Sequence, residues 1–112
     1  DISGNGGGYI FDCRCLPNPG RYEQYKQMTG KDAEVVAFLE KEEEVEKFYA
    51  SAKTLALQSI KRYKQRRFTN LSIYFGCTGG RHRSVYMAQR LANELQKDEE
   101  LDVQVCHVEQ NG

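Results

Sequence analysis

Residues 76–84 read Gly-Cys-Thr-Gly-Gly-Arg-His-Arg-Ser and concentrate the chemistry of this chain. Three basic side chains, two adjacent glycines and three polar-hydrogen side chains (Cys77, Thr78, Ser84) share one short connection. An apolar, β-rich segment precedes it and an amphipathic helical pattern follows. A Gly-rich link between strand and helix exposes backbone N–H groups at a helix N-terminus, where the dipole favours an anion. Gly79 and Gly80 allow close backbone approach, Thr78 offers a hydroxyl, and Arg83 is suited to grip a phosphate bidentately. The alternative is a tight strand-to-helix turn with incidental charge. Three basic residues in one loop favour the anion site.

The same residues fit a second chemistry. Cys77 and Arg83 stand at C-x5-R spacing with Ser84 next, the pattern of cysteine-dependent phosphatases. There a thiolate attacks phosphorus while loop amides and the arginine hold the oxygens. A general acid is also needed, and Asp12 is the candidate. Four fixed positions recur in unrelated loops, so binding is expected ahead of catalysis. A third chemistry attaches to residues 61–67, where Lys61, Arg62, Lys64, Arg66 and Arg67 surround Tyr63. Such a run could contact RNA phosphates. Glu40, Glu42, Glu43, Glu44 and Glu46 at the other end of the same helical region make the favoured alternative a helix whose charges match its dipole.

Composition removes several classes. With 112 residues, one domain is expected. Sixteen basic against sixteen acidic residues give no global pull toward nucleic acid or membrane. No apolar run approaches the ~20 residues of a membrane span, and no signal peptide is visible. Cys13, Cys15, Cys77 and Cys106 form no C-x-x-C pair and only two histidines accompany them. No metal or cofactor is therefore expected, and the thiols read as reduced in a cytoplasmic protein. Cys13 and Cys15 are expected to share a face as packing residues. The G-x-x-x-x-G-K-[ST] nucleotide loop is absent. The chain begins with Asp, and a fragment of a longer protein is expected.

Hydrophobic periodicity places strands at residues 9–13, 70–75 and 101–108 and helices at 32–41, 42–63 and 83–96. Residues 1–8 read as a flexible Gly-rich linker and 9–112 as a single domain. Residues 14–30, with Pro17, Pro19 and Gly20, cannot be regular. Helical crossovers between strands predict parallel pairing, hence a small α/β unit of two or three layers. Its sheet should be mostly parallel, with about three to four strands. Ligands bind beyond the carboxyl ends of such strands. That rule gathers Asp12 and Arg14, residues 77–83, and His107 as one expected neighbourhood. Tyr22 and Tyr25 either line a pocket there or cover the core.

The runs Phe-Asp-Cys-Arg-Cys-Leu-Pro-Asn-Pro at 11–19, Thr-Gly at 29–30, and Gly-Cys-Thr-Gly-Gly-Arg-His-Arg-Ser-Val at 76–85 together resemble the C-terminal domain of the RapZ and YvcJ family of P-loop nucleotide-binding proteins. The resemblance covers residues 8–108. It implies an α/β domain similar to a sugar-phosphate-binding subdomain of phosphofructokinase. It also implies recognition of glucosamine-6-phosphate or a related phosphosugar by a regulatory, non-enzymatic domain. Carried over by motif, the ligand residues are Asp12, Cys77, Thr78, Gly79, His82 and Arg83, with Arg14 nearby. Gly80 and His107 join them from the loop and strand-end reading. In RapZ, sensing is tied to small RNA and RNase E, and full-length members carry an N-terminal P-loop domain; an N-terminal domain of that or another kind is the expected partner of this fragment. Two departures stand out. Gly20 occupies a position where some members have His, and residues 108–112 lack the Lys/Arg-rich tail of RNA-binding members.

Overall fold

The computed structural model describes residues 6–66, 70–95 and 102–110. Three strands, β1 (Gly6–Asp12), β2 (Asn70–Thr78) and β3 (Asp102–Gln110), form one sheet in the order β1-β2-β3. Both pairings are parallel, with Phe11 opposite Phe75 and Phe75 opposite His107. Between β1 and β2 lie two short 3-10 turns (Pro19–Arg21 and Glu23–Tyr25), then α1 (Ala33–Glu40) and α2 (Glu43–Gln65). Helix α3 (Arg83–Leu95) connects β2 to β3.

Two right-handed crossovers stepping the same way across a sheet put their helices on one face. The contacts agree. Arg90 of α3 pairs with Glu46 of α2 at 2.7 Å, and Glu94 of α3 accepts from Tyr49 and pairs with Lys53. The Arg90 guanidinium also lies 3.8 Å above the Tyr49 ring, a cation–π contact. The result is two layers. Central strand β2 therefore alternates instead of being apolar throughout: Leu71, Ile73, Phe75 and Cys77 are buried toward the helices, while Ser72 and Tyr74 are half-buried on the other side. Ile10, on that bare face, is 75% exposed. The apolar stripes of α1 (Val35, Leu39), α2 (Val45, Tyr49, Ala52, Ala56, Ile60) and α3 (Met87, Leu91) close over the sheet as one core.

Two boundaries differ from the sequence expectation. The ladder begins at Gly6, so Gly6, Gly7 and Gly8 belong to β1 rather than to a linker, opposite Asn70, Leu71 and Ser72. Backbone pairing to a central strand needs no side chains. Likewise β2 continues through Gly76, Cys77 and Thr78, opposite Val108, Glu109 and Gln110. The connecting loop is thereby cut to residues 79–82.

The irregular stretch before α1 is anchored onto the start of α3. The Gly30 N–H donates to the Arg81 carbonyl at 2.9 Å, and a Cβ at Gly30 would sit 2.3 Å from both the His82 oxygen and the Tyr86 nitrogen. The chain can pass here only without a side chain. Gly30→Ala is expected to destabilise the domain by about 1–3 kcal/mol, the usual scale of forced overpacking, read as a lower urea midpoint at unchanged slope.

Candidate ligand site and family

The site is built around the end of β2. The Gly80 N–H donates to the Cys77 carbonyl at 3.1 Å and closes a turn whose third residue, Gly79, has φ 80°. That is the positive φ a type II turn requires, and Gly80 follows at φ 60°. Reversing the chain this sharply delivers Arg81, His82 and Arg83 directly to the N-terminus of α3.

All three basic side chains turn toward the irregular residues 13–30. Arg83 is 4% exposed, and its Nη1 donates to the carbonyls of Arg14 (2.9 Å), Leu16 (3.1 Å) and Cys13 (3.4 Å). His82 Nε2 lies 2.8 Å from the Tyr25 carbonyl, which can only accept, so the proton sits on Nε2. Arg81 Nη1 donates to the Lys26 carbonyl at 3.0 Å. A proline-rich segment without regular pairing leaves carbonyls to be satisfied, and these side chains satisfy them. His82 was expected to contact ligand. Here its ring is buried against the Tyr25 carbonyl and lies 3.4 Å from where a Cβ at Gly20 would stand.

Cys77 is 1% exposed and lines neither of the two cavities beside this loop. Ser84 Oγ lies 3.1 Å from its sulfur, and the Ser84 N–H donates to that sulfur at 3.3 Å. Burial pushes the thiol up, but the two Ser84 hydrogen bonds, the Arg83 charge and the His82 N–H together hold it below its ordinary value. The Cys-to-Arg spacing thus lowers the pKa of a thiol that lies sealed in the core, 1% exposed. Cys13 goes the other way: burial, with the neighbouring Cys77, pushes it up to about 12. Cys15 does not share its face, because the chain turns after β1 (Leu16 N–H to the Cys13 carbonyl, 3.1 Å) and leaves Cys15 exposed.

A cavity of about 630 Å³ opens at the carboxyl end of β1 and β2, between the irregular loop and the start of α2. Arg14, Arg21, Arg83, Thr78 and Asn18 line it, with Cys15 and Tyr22 at its wall and Glu42 and Glu44 on the α2 side. Arg14 is held by Asp12, whose carboxylate accepts from Nε (2.9 Å) and Nη2 (2.7 Å) and from the Arg14 N–H (2.9 Å). These bonds lower Asp12 to about 2. Asp12 therefore positions Arg14. Arg83 has no carboxylate partner among the described residues, and its buried Nε has no partner at all there. Arg21 and Asn18 were missed at the sequence level. Their signal lay in Asn-Pro-Gly-Arg, where Asn18 Oδ1 accepts from the Gly20 N–H at 2.9 Å and caps the turn that carries Arg21.

His107 does not join this cavity. It stands on β3, on the helix-bearing face, whereas Asp12 lies in register with Gly76 and Val108 on the opposite face. A separate cavity of about 400 Å³ collects His107 with Gly79, Gly80, Arg81 and Lys31. Lys61, Arg62, Lys64 and Arg66 occupy the C-terminal turns of α2, at the far end of the sheet from Glu42 and Glu44. The structure does not bring them to the loop, and Arg67 lies outside the described residues. Among the described residues no group of three or more His, Cys, Asp or Glu could hold a metal, and no helix is long and apolar enough to cross a membrane.

The family model described as the RapZ C-terminal domain matches residues 4–111. The chain belongs to this family. Curated relatives agree. A nucleotide-binding protein of Cellvibrio japonicus is 41% identical over 98 residues, 88% of this chain and 33% of that protein. One of Halorhodospira halophila is 45% identical over 89 residues, 80% and 31% respectively. One of Xanthomonas axonopodis pv. citri is 37% identical over 103 residues, 92% and 36%. The chain spans about a third of the length of these relatives.

Two outcomes follow from this geometry. Arg83→Lys keeps the charge but is shorter and buries a more strongly hydrated ammonium, so it should cost about 2 kcal/mol or more in urea unfolding. Cys13 should make stability fall at alkaline pH. Its native value lies above the unfolded one, so its contribution is complete below pH 9 and is lost as pH rises toward 12. Cys13→Val should show a shallower decline over that range in paired pH-dependent melts.

Proposed function

We propose that this RapZ-family C-terminal domain binds a small phosphorylated metabolite, of the glucosamine-6-phosphate type, in the Arg14–Arg21–Arg83–Thr78 cavity, and that it does so without catalysis. The carrying observation is that three arginines converge on one cavity while the only signature nucleophile, Cys77, is 1% exposed. The Arg83 guanidinium is hydrogen-bonded to carbonyls and makes no salt bridge among the described residues, so it is available to attract an anion beside it. A volume of about 630 Å³ falls within the range of small-molecule pockets. The ligand phosphate meets Arg14, Arg21 and Arg83, Thr78 supplies a hydroxyl, and Asn18 addresses the polar remainder.

Relatives three times as long, named nucleotide-binding proteins, support reading this domain as the sensory part of a longer cytoplasmic protein whose other domain binds nucleotide. Four free cysteines suit a reducing compartment. In this role ligand occupancy is the signal, and turnover would erase it.

Titration with glucosamine-6-phosphate, followed by backbone amide shifts, should move Arg14, Asn18, Thr78 and Arg83. Arg21→Gln, on an exposed turn, should weaken binding about tenfold without altering the melt. Unmoved amides at millimolar ligand would reject the reading. Aryl-phosphate turnover abolished by Cys77→Ser would replace it with the phosphatase.

A further inference from the structure

The cavity that gathers Arg14, Arg21 and Arg83 also has a wall of the opposite sign. Glu42 and Glu44, at the start of α2, line it together with Tyr22 and Phe38. We infer that this wall is an ammonium subsite, and that Glu42 and Glu44 make the domain select a phosphorylated metabolite that also bears an amine. The inference rests on the phosphometabolite reading of the same cavity and adds the residues that choose among such metabolites.

The two carboxylates have no structural task. Of the glutamates that open α2, Glu43 pairs with Lys47 at 3.1 Å and Glu46 with Arg90 at 2.7 Å. Glu42 and Glu44 make no ion pair and no side-chain hydrogen bond among the described residues. Glu42 occupies the N-cap position, yet its side chain accepts nothing from the first turn. A carboxylate there suits the helix dipole, but Glu43 and Glu46 already supply that charge within the first turn. The backbone of Glu42 is fixed nonetheless. Its N–H donates to the Leu39 carbonyl at 3.1 Å, and its carbonyl accepts from Val45 at 3.1 Å and Glu46 at 3.3 Å. Glu42 is thus a half-buried residue held in the cavity wall with its carboxylate unpaired. Tyr22 and Phe38 complete that wall, their rings 5.6 Å apart. Aromatic faces beside a carboxylate attract a cation, not a phosphate.

Charge balance says which ligand matches. Asp12 pairs with Arg14 at 2.7 Å, which leaves Arg21 and Arg83 in the lining with Glu42 and Glu44. A ligand with a phosphate alone is attracted by the arginines and repelled by the glutamates. A ligand with a phosphate and an ammonium is attracted by both, because each charge lies nearest its opposite and Coulomb energy falls with distance. On the arginine wall, Arg83 is 4% exposed, its Nε is unpartnered among the described residues, and carbonyls hold its Nη1. The phosphate end is therefore anchored by a fixed cation, and the glutamates read what else the ligand carries. A hydroxyl or an N-acyl group in place of the amine is neutral and leaves both carboxylates unmatched.

The test compares glucosamine 6-phosphate, glucose 6-phosphate and N-acetylglucosamine 6-phosphate by calorimetry and backbone amide shifts. The amine should bind about tenfold more tightly than either neutral counterpart, the scale of one charge-assisted hydrogen bond, and should additionally move Tyr22, Glu42 and Glu44. In the double variant Glu42→Gln/Glu44→Gln, glucosamine 6-phosphate should lose that advantage. Glucose 6-phosphate should instead bind more tightly, since two like charges have left the cavity of its phosphate. A parallel loss for both sugars would mark a structural role and overturn the assignment, as would an advantage that survives the double variant. Equal affinities of the three sugars for the unmodified domain, with shifts at Arg14 and Thr78 only, would overturn the ammonium subsite and leave the phosphate reading standing. No shift at Arg14, Asn18 and Thr78 with any of them would overturn both.

Discussion

The fold of this domain hangs on a buried guanidinium. Arg83, at the first turn of α3, holds three carbonyls of the segment that leaves β1. That segment contains Pro17 and Pro19 and pairs with no strand, so its oxygens have no ladder to join. All three bonds come from one terminal nitrogen, Nη1, of a planar and weakly hydrated group suited to burial. With Arg83 in place, residues 14–30 are pinned over the carboxyl end of the sheet and become the wall of a cavity.

The same economy governs the neighbours of Arg83. His82 and Arg81 each satisfy one further carbonyl, at Tyr25 and Lys26, so the loop is fastened along its length by three consecutive residues. Ser84 turns inward and holds the Cys77 sulfur. A motif that resembles a catalytic loop thus uses most of its side chains for scaffold contacts. Arg83 serves the site as well, since it also faces the cavity while it holds the loop. A ligand anion there would rest on a cation already fixed in place, and binding would not have to pay for ordering it.

Much was legible in advance because local chemistry dictated it. Period-2 burial in β2 and the stripes of α2 and α3 follow from hydrophobic spacing, and parallel pairing follows from helical crossovers. The turn at Gly79 and Gly80 follows from the need for positive φ. The placement of His82, the partner of Asp12 and the separation of His107 from Arg14 were not legible. Each depends on which face of a strand a residue occupies and on what a distant, irregular segment leaves unsatisfied. Arg21 and Lys31 were overlooked for the same reason: nothing in their neighbours marks them, and only the folded loop brings them to a cavity.

The sequence by itself determined the family, the α/β order of elements and the turn that joins β2 to α3. Those rest on contiguous residues, whose spacing sets period, turn and helix start. Tertiary structure alone decided what each residue of that loop does. Burial took Cys77 out of reach, carbonyl demand turned His82 inward, and strand parity sent His107 to a second cavity across the turn from Arg14. Such roles are settled by the partners that long-range packing supplies, and no run of nine residues contains them.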